Sequence, residues 1–277
     1  SATFNVDTTP PSLSISAPSL GTANSASTVT YTLTYGGASA TTLVPANITL
    51  NTTGGATCTV GVTAALPNST VTLTNCTGNG TVGISVVANT ASDVAGNQAP
   101  AAGPSTTFIV NNTGPSLSIS AGPSLANANS ASTVTYTLTY VGATTISLVP
   151  ANITLNATGG ATCTVGVTAL LPNSTVTLTN CTGNGTVGIS VAASTAADAL
   201  LNQANAAGPS ATFNVDNTAP TLSISAGPSL ANANGASSVT YTLTYGGATA
   251  TSLIPGNISL STTGSANCII GVSAAIP

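Results

Sequence analysis

Four acids, five cysteines and six tyrosines are the readily titratable side chains of this 277-residue chain; lysine, arginine and histidine are absent. The acids are Asp7, Asp93, Asp198 and Asp216. A general base working near neutrality, a charged oxyanion clamp and an activated serine or cysteine all draw on the missing types. Paired carboxylates are the one catalytic arrangement left, with Asp7 and Asp93 as the candidate pair. An acid and base of the glycosidase kind also need a concave sugar site, and aromatic residues to line one make up only 3% of the chain. No catalytic residue is assigned. Nucleic acid and anionic membrane surfaces are excluded as partners by the same inventory, because both are bound by neutralising negative charge with Lys and Arg.

The cysteines carry a clearer pattern. Cys58 and Cys76 lie 18 apart, Cys163 and Cys181 repeat that spacing, and Cys268 opens a third set. Each pair flanks an expected hairpin, in which residues 57–64 turn at 65–69 and return as 70–76. A metal site would need about four Cys or His ligands, and each pair offers two. The pairs are therefore read as disulfides, with the partner of Cys268 expected about 18 residues on, beyond Pro277. One detail resists. Pairing Val60 with Leu73 and Val62 with Val71 on one face puts Cys58 opposite Asn75, so a bulge or loosened pairing is needed to bring Cys76 round.

The elements that position these residues recur. Cys58, Cys163 and Cys268 are spaced by 105, and Leu43 to Val86 recurs as Leu148 to Val191 with changes only at Thr52/Ala157 and Ala65/Leu170. A period of this length matches an independently folding domain and exceeds a solenoid turn. The chain divides into residues 1–10, the closing strand of a preceding unit; 11–112 and 113–217, two whole units; and 218–277, a truncated third. It reads as a window on a longer protein.

Within a unit the polarity has period two. Val29, Tyr31, Leu33 and Tyr35 alternate with threonines, which marks a half-buried strand and makes the tyrosines, with their repeats at 136, 140, 241 and 245, core residues. Leu13 and Ile15, and Val82, Ile84 and Val86, form further rows. Other strands are expected at 47–51, 58–63, 71–75 and 105–110, separated by Gly36-Gly37, Gly54-Gly55, Pro67-Asn68 and Gly78-Asn79-Gly80. Mean hydropathy is +0.43, yet no apolar run approaches the roughly 18 residues of a spanning helix, and membrane insertion is not expected. About seven short strands per unit make an all-β fold, a tandem of immunoglobulin-like antiparallel β-sandwich domains of about 105 residues.

The linkers Val6-Asp7-Thr8-Thr9-Pro10, Val110-Asn111-Asn112-Thr113-Gly114-Pro115 and Val215-Asp216-Asn217-Thr218-Ala219-Pro220, with Asp93-Val94-Ala95-Gly96-Asn97 before the closing strand, resemble the Ig-like repeats of large bacterial surface proteins and adhesins. That resemblance implies an extracellular, multi-domain, non-enzymatic protein. In the expected topology the loop bearing Asp93 or Asp198 faces the preceding linker. Asp93 is thus expected near Asp7, Asp198 near Asn111 and Asn112, and Asp216 near an acid beyond the window. Such oxygen-rich junctions suit calcium, and related surface repeats are stiffened by it. Sequons place candidate glycans at Asn47, Asn51, Asn68, Asn152, Asn156 and Asn173. The function expected is a structural repeat region forming an extracellular fibre or rigid stalk, with copies of itself or other surface components as partners. The alternative is an adhesin module that grips a glycan or host receptor.

Overall fold

Alternation of β-branched or aromatic residues with threonine gives a strand two unlike faces, and burying the apolar face requires a second sheet. The computed structural model describes residues 2–273, and in its first unit ten strands form: β1 (Ser12–Ile15), β2 (Thr22–Ala23), β3 (Val29–Gly36), β4 (Ala40–Thr41), β5 (Ile48–Thr52), β6 (Thr57–Thr63), β7 (Asn68–Thr77), β8 (Gly80–Val86), β9 (Ala91–Ser92) and β10 (Phe108–Val110). One sheet has the order β1-β3-β7-β6 and is antiparallel throughout. The other has the order β2-β10-β8-β5, with β2 beside β10 in parallel, Thr22 opposite Ile109 and Ala23 opposite Val110. After β1 pairs with β3, the chain crosses between the sheets and runs alongside the closing strand. That parallel addition aside, the architecture is the immunoglobulin-like sandwich read from the strand count. β4 and β9 form a separate two-stranded ribbon.

The second unit repeats this order with β11 (Ser116–Ile119), β12 (Asn127–Ala128), β13 (Val134–Val141), β14 (Thr145–Ile146), β15 (Ile153–Ala157), β16 (Thr162–Thr168), β17 (Asn173–Thr182), β18 (Gly185–Val191), β19 (Ala196–Ala197) and β20 (Phe213–Val215). The described residues contain no α-helix, only single 3-10 turns such as Pro45–Asn47. There Asn47 Oδ1 accepts the Val44 N–H at 2.9 Å and the Asn47 N–H returns a bond to the Val44 carbonyl at 2.9 Å.

Each unit has its own core. Val29, Tyr31, Leu33, Val71, Leu73, Val82 and Ile84 have no exposed surface, and Tyr35 and Phe108 have 1%. Burying one such aliphatic side chain contributes about 1.5–3 kcal/mol. A buried tyrosine needs a partner for its hydroxyl. Tyr31 donates to the Thr106 carbonyl at 3.0 Å, and Tyr35 shares a 2.8 Å bond with Thr90 Oγ1. Tyr136 and Tyr140 repeat both arrangements with Ala211 and Thr195. Among the described residues no buried side-chain nitrogen or oxygen lacks a hydrogen bond.

The third unit differs. Its strands β21 (Thr221–Ile224) and β22 (Leu243–Gly246) keep the pairing of β11 with β13, Leu222 opposite Tyr245 as Leu117 is opposite Tyr140. Tyr241, expected in a core, is 58% exposed. Its counterpart Tyr136 is buried and donates to the Ala211 carbonyl at 2.7 Å, a bond that Tyr241 does not make among the described residues.

Candidate functional site

β6 and β7 pair in the register that sets Val60 opposite Leu73 and Val62 opposite Val71. Past Thr59 and Thr74 the ladder slips, and Thr57 faces Thr77, so that Asn75 and Cys76 together oppose Cys58. Asn75 is the extra residue, at φ 48°, in the left-handed region that asparagine tolerates better than most residues. The slip reverses the phase of alternation. Ser69, Val71 and Leu73 face inward at odd positions, then Cys76 does so at an even one. Cys76 is thereby bonded to Cys58, with Cα atoms 4.1 Å apart. Asn180, at φ 49°, builds the same bulge beside the Cys163–Cys181 bond. Cys268 is exposed and has no partner among the described residues.

The aspartates sit at the linkers and at the loops facing them. Asp7 Oδ1 accepts the Thr9 N–H at 3.0 Å, Asn111 Oδ1 the Thr113 N–H at 2.9 Å and Asp216 Oδ1 the Thr218 N–H at 2.9 Å. These are one Asx turn used three times, and it needs only a side-chain oxygen, so asparagine serves where the other linkers have aspartate. Asp93 accepts the Asn97 N–H on Oδ1 at 2.9 Å and the Asn97 side-chain amide on Oδ2 at 2.8 Å. That same amide nitrogen donates to the Asp7 main-chain carbonyl at 3.0 Å. In the second unit Asn202 donates to Asp198 Oδ2 and to the Asn111 carbonyl, both at 3.0 Å. The loops therefore face the preceding linkers, and an asparagine amide joins the two sides. The Asn97 amide holds the Asp93 carboxyl below its ordinary range, with loop N–H groups adding to it against a smaller desolvation. The Thr218 N–H, and then its hydroxyl, lower Asp216 in the same way.

This donor set does not fit calcium. Both Asp93 oxygens take N–H donors, and the Asp7 carboxylate is turned to Thr9. Asn97 nitrogen faces two oxygens, which fixes the amide orientation and presents N–H to the junction. Asn112, expected beside Asp198, points the other way because successive residues of an extended linker project oppositely. Its Oδ1 accepts the Ser25 N–H at 2.7 Å and its amide donates to the carbonyls of Cys76 at 3.2 Å and Gly78 at 2.8 Å. Asn217 repeats this clamp on Ser130, Cys181 and Gly183.

Of the sequon asparagines, Asn47 and Asn152 cap 3-10 turns, and Asn51 and Asn156 donate their amides to Ser85 and Ser190. Asn68 and Asn173 are exposed and use only their oxygens, toward Thr34 and Thr139. An open groove beside β1, lined by Leu13, Ile15, Ala17, Ala102 and Pro104 among others, recurs in the second unit and has no titratable lining.

In the sequence Asn97 stands out only as part of a motif, and Asn202 and Asn24, which meet across the junction, carry no such mark. The signal was the recurrence of Asp-x-x-x-Asn at 93–97 and 198–202 and of Asn-Ser-Ala-Ser at 24–27 and 129–132.

Two sandwiches in tandem, each closed by one disulfide within an edge hairpin and joined through their poles, define a multi-unit immunoglobulin-like strand protein. No protein-family model matches the chain, and no curated protein does. Among solved structures it is similar to the Escherichia coli adhesin FdeC, at 16% identity over 85% of this chain and 73% of that one, TM-score 0.32. It is also similar to the I67–I69 I-band fragment of titin, at 12% identity over 79% and 75%, TM-score 0.30. A third is domains 5–6 of the S-layer protein SbsC, at 13% identity over 75% and 100%, TM-score 0.21.

Proposed function

We propose that the chain is a structural repeat region of a secreted or cell-surface bacterial protein, a stalk or fibre segment whose units set length and stiffness. The observation that carries this reading is the end-to-end connection of two nearly identical sandwiches, in which the linker is tied to both neighbours by Asn112 and Asn202. The disulfides support an oxidising, extracellular compartment. A formal charge of −4 over 277 residues leaves little repulsion between copies, which favours lateral association into fibres. Electron microscopy of the native material tests the proposal: filaments or rods of even width are expected, and compact isolated particles would overturn it. A single unit that binds a glycan saturably in solution would move the assignment to the adhesin alternative.

Calcium has no part in this reading. Calorimetry with millimolar Ca²⁺ is expected to give no binding heat, and a heat abolished by Asp93→Asn would restore a metal-stiffened junction.

A further inference from the structure

Asn24 opens a turn that recurs at Asn129 and, with glycine in its second place, at Asn234. The side-chain oxygen does the local work in all three. At Asn24 it accepts the Ala26 N–H at 3.1 Å and the Ser27 hydroxyl at 3.0 Å; at Asn129 the same two bonds are 3.0 Å, and Asn234 repeats them. The amide nitrogen has no role in the turn. Among the described residues only at Asn24 does it meet acceptors, the Leu200 carbonyl at 2.6 Å and Asn202 Oδ1 at 3.2 Å, both in the second unit. Asn24 is accordingly 7% exposed, whereas Asn129 and Asn234 are exposed.

The contact extends into a relay. Asn202 accepts from Asn24 with its oxygen and donates with its nitrogen to Asp198 and to the linker carbonyl of Asn111. Each amide is oriented by the next, and both hydrogen-bonding ends of Asn202 are used. Gly114 lies flat against the same loop, for a Cβ there would strike the main-chain oxygen of Gln203.

We infer that the Asn-Ser-Ala-Ser turn is a docking surface for the Asp-x-x-x-Asn loop of the following unit, and that the Asn24 amide makes this contact specific. Each junction then has two attachments, the covalent linker and this clasp. Two points of attachment restrict bending and twist where a lone linker leaves them free, which is the default between domains. The acceptor at Leu200 is a main-chain carbonyl, so the clasp tolerates variation in that side chain and depends on Asp198 and Asn202. The exposed Asn129 turn fits the same loop of a further unit. The purpose given to the clasp rests on the stalk reading, although its geometry does not.

Asn24→Asp keeps the oxygen that the turn uses and replaces the donor with an oxygen facing two others. Asn129→Asp makes the same change where nothing is docked. Residual dipolar couplings measured on the 277-residue chain report the relative orientation of the two cores. One alignment tensor is expected to fit both cores in the wild type and in N129D, and N24D is expected to need two, each core still fitting its own fold. Should N24D disturb the first unit itself, Asn24→Ser, which retains a capping oxygen but is too short to reach Leu200, is expected to separate the tensors. Two tensors in the wild type, or one in N24D and N24S, would overturn the clasp. A locked junction in material that forms compact particles would refute the stalk alone, and a loose junction in native filaments would refute the clasp alone.

Discussion

Leu33 and Thr32 are neighbours on β3 with opposite fates, the leucine without exposed surface and the threonine exposed. Leu33→Ala removes buried methyls and leaves a cavity, so chemical denaturation is expected to show a loss of about 2–5 kcal/mol, against about half a kcal/mol for Thr32→Ala. Equal losses would mean that the faces are assigned the wrong way round. Leu201 is the least comfortable residue of the second unit. It has φ 65° where the first unit has Gly96 at φ 91°, and its side chain is 71% exposed. A left-handed leucine costs about 1–2 kcal/mol and glycine there gives back about 0.5–1 in chain entropy, so Leu201→Gly is expected to stabilise the unit by about 0.5–1 kcal/mol. A lower melting temperature would contradict the strained backbone. Asp93 and Asp216 have carboxyls lowered from 3.8 by their turn donors. A lowered folded pKa gives stability that is complete above the unfolded value and is lost as pH falls through the folded one. Melting temperature is therefore expected to hold from neutrality to about pH 5 and to decline below about pH 4. The decline should be smaller in Asp93→Asn.

At the scale of elements, the β6–β7 hairpin depends on the bulge at Asn75. Reducing its disulfide is expected to cost each unit about 3 kcal/mol in the chain-entropy model. Quantitative thiol labelling of the unfolded, unreduced chain, beyond the one thiol of Cys268, would show that the bonds are absent. Much of this level was legible in the sequence. The seven longer strands announce themselves by alternation because each has one face against the core, and the mismatch between Cys58 and Asn75 already demanded a bulge or a loosened pairing. Its place near Asn75 was legible from that mismatch, but the choice between a bulge and a loosened pairing was not, because alternation alone does not say where a ladder slips. β2, β4 and β9 were invisible because a two-residue bridge carries no period. Asp93 and Asp198 were placed at the correct poles by topology alone, but their ligands were not, because an aspartate beside a linker suits an N–H as well as a cation. Only side-chain geometry shows that Asn97 and Asn202 supply that N–H.

For the whole molecule, two cores without Lys or Arg make cohesion between copies a matter of neutral contacts. Any fibre the chain forms is expected to keep its width and length between low and high ionic strength, because few charges exist to be screened. Filaments that dissolve on adding salt would contradict this. On the stalk reading the chain is a series of separate mechanical units, each shortened by its own covalent clamp. Pulling the chain in a single-molecule force instrument tests it most directly. Two unfolding steps of equal length are expected from the two complete units, and reductant is expected to lengthen each by about 60 Å, the reach of the 18 residues between paired cysteines at 3.3–3.6 Å apiece. A single cooperative rupture of both units, or steps whose length reductant leaves unchanged, would mean that the units are not separately clamped.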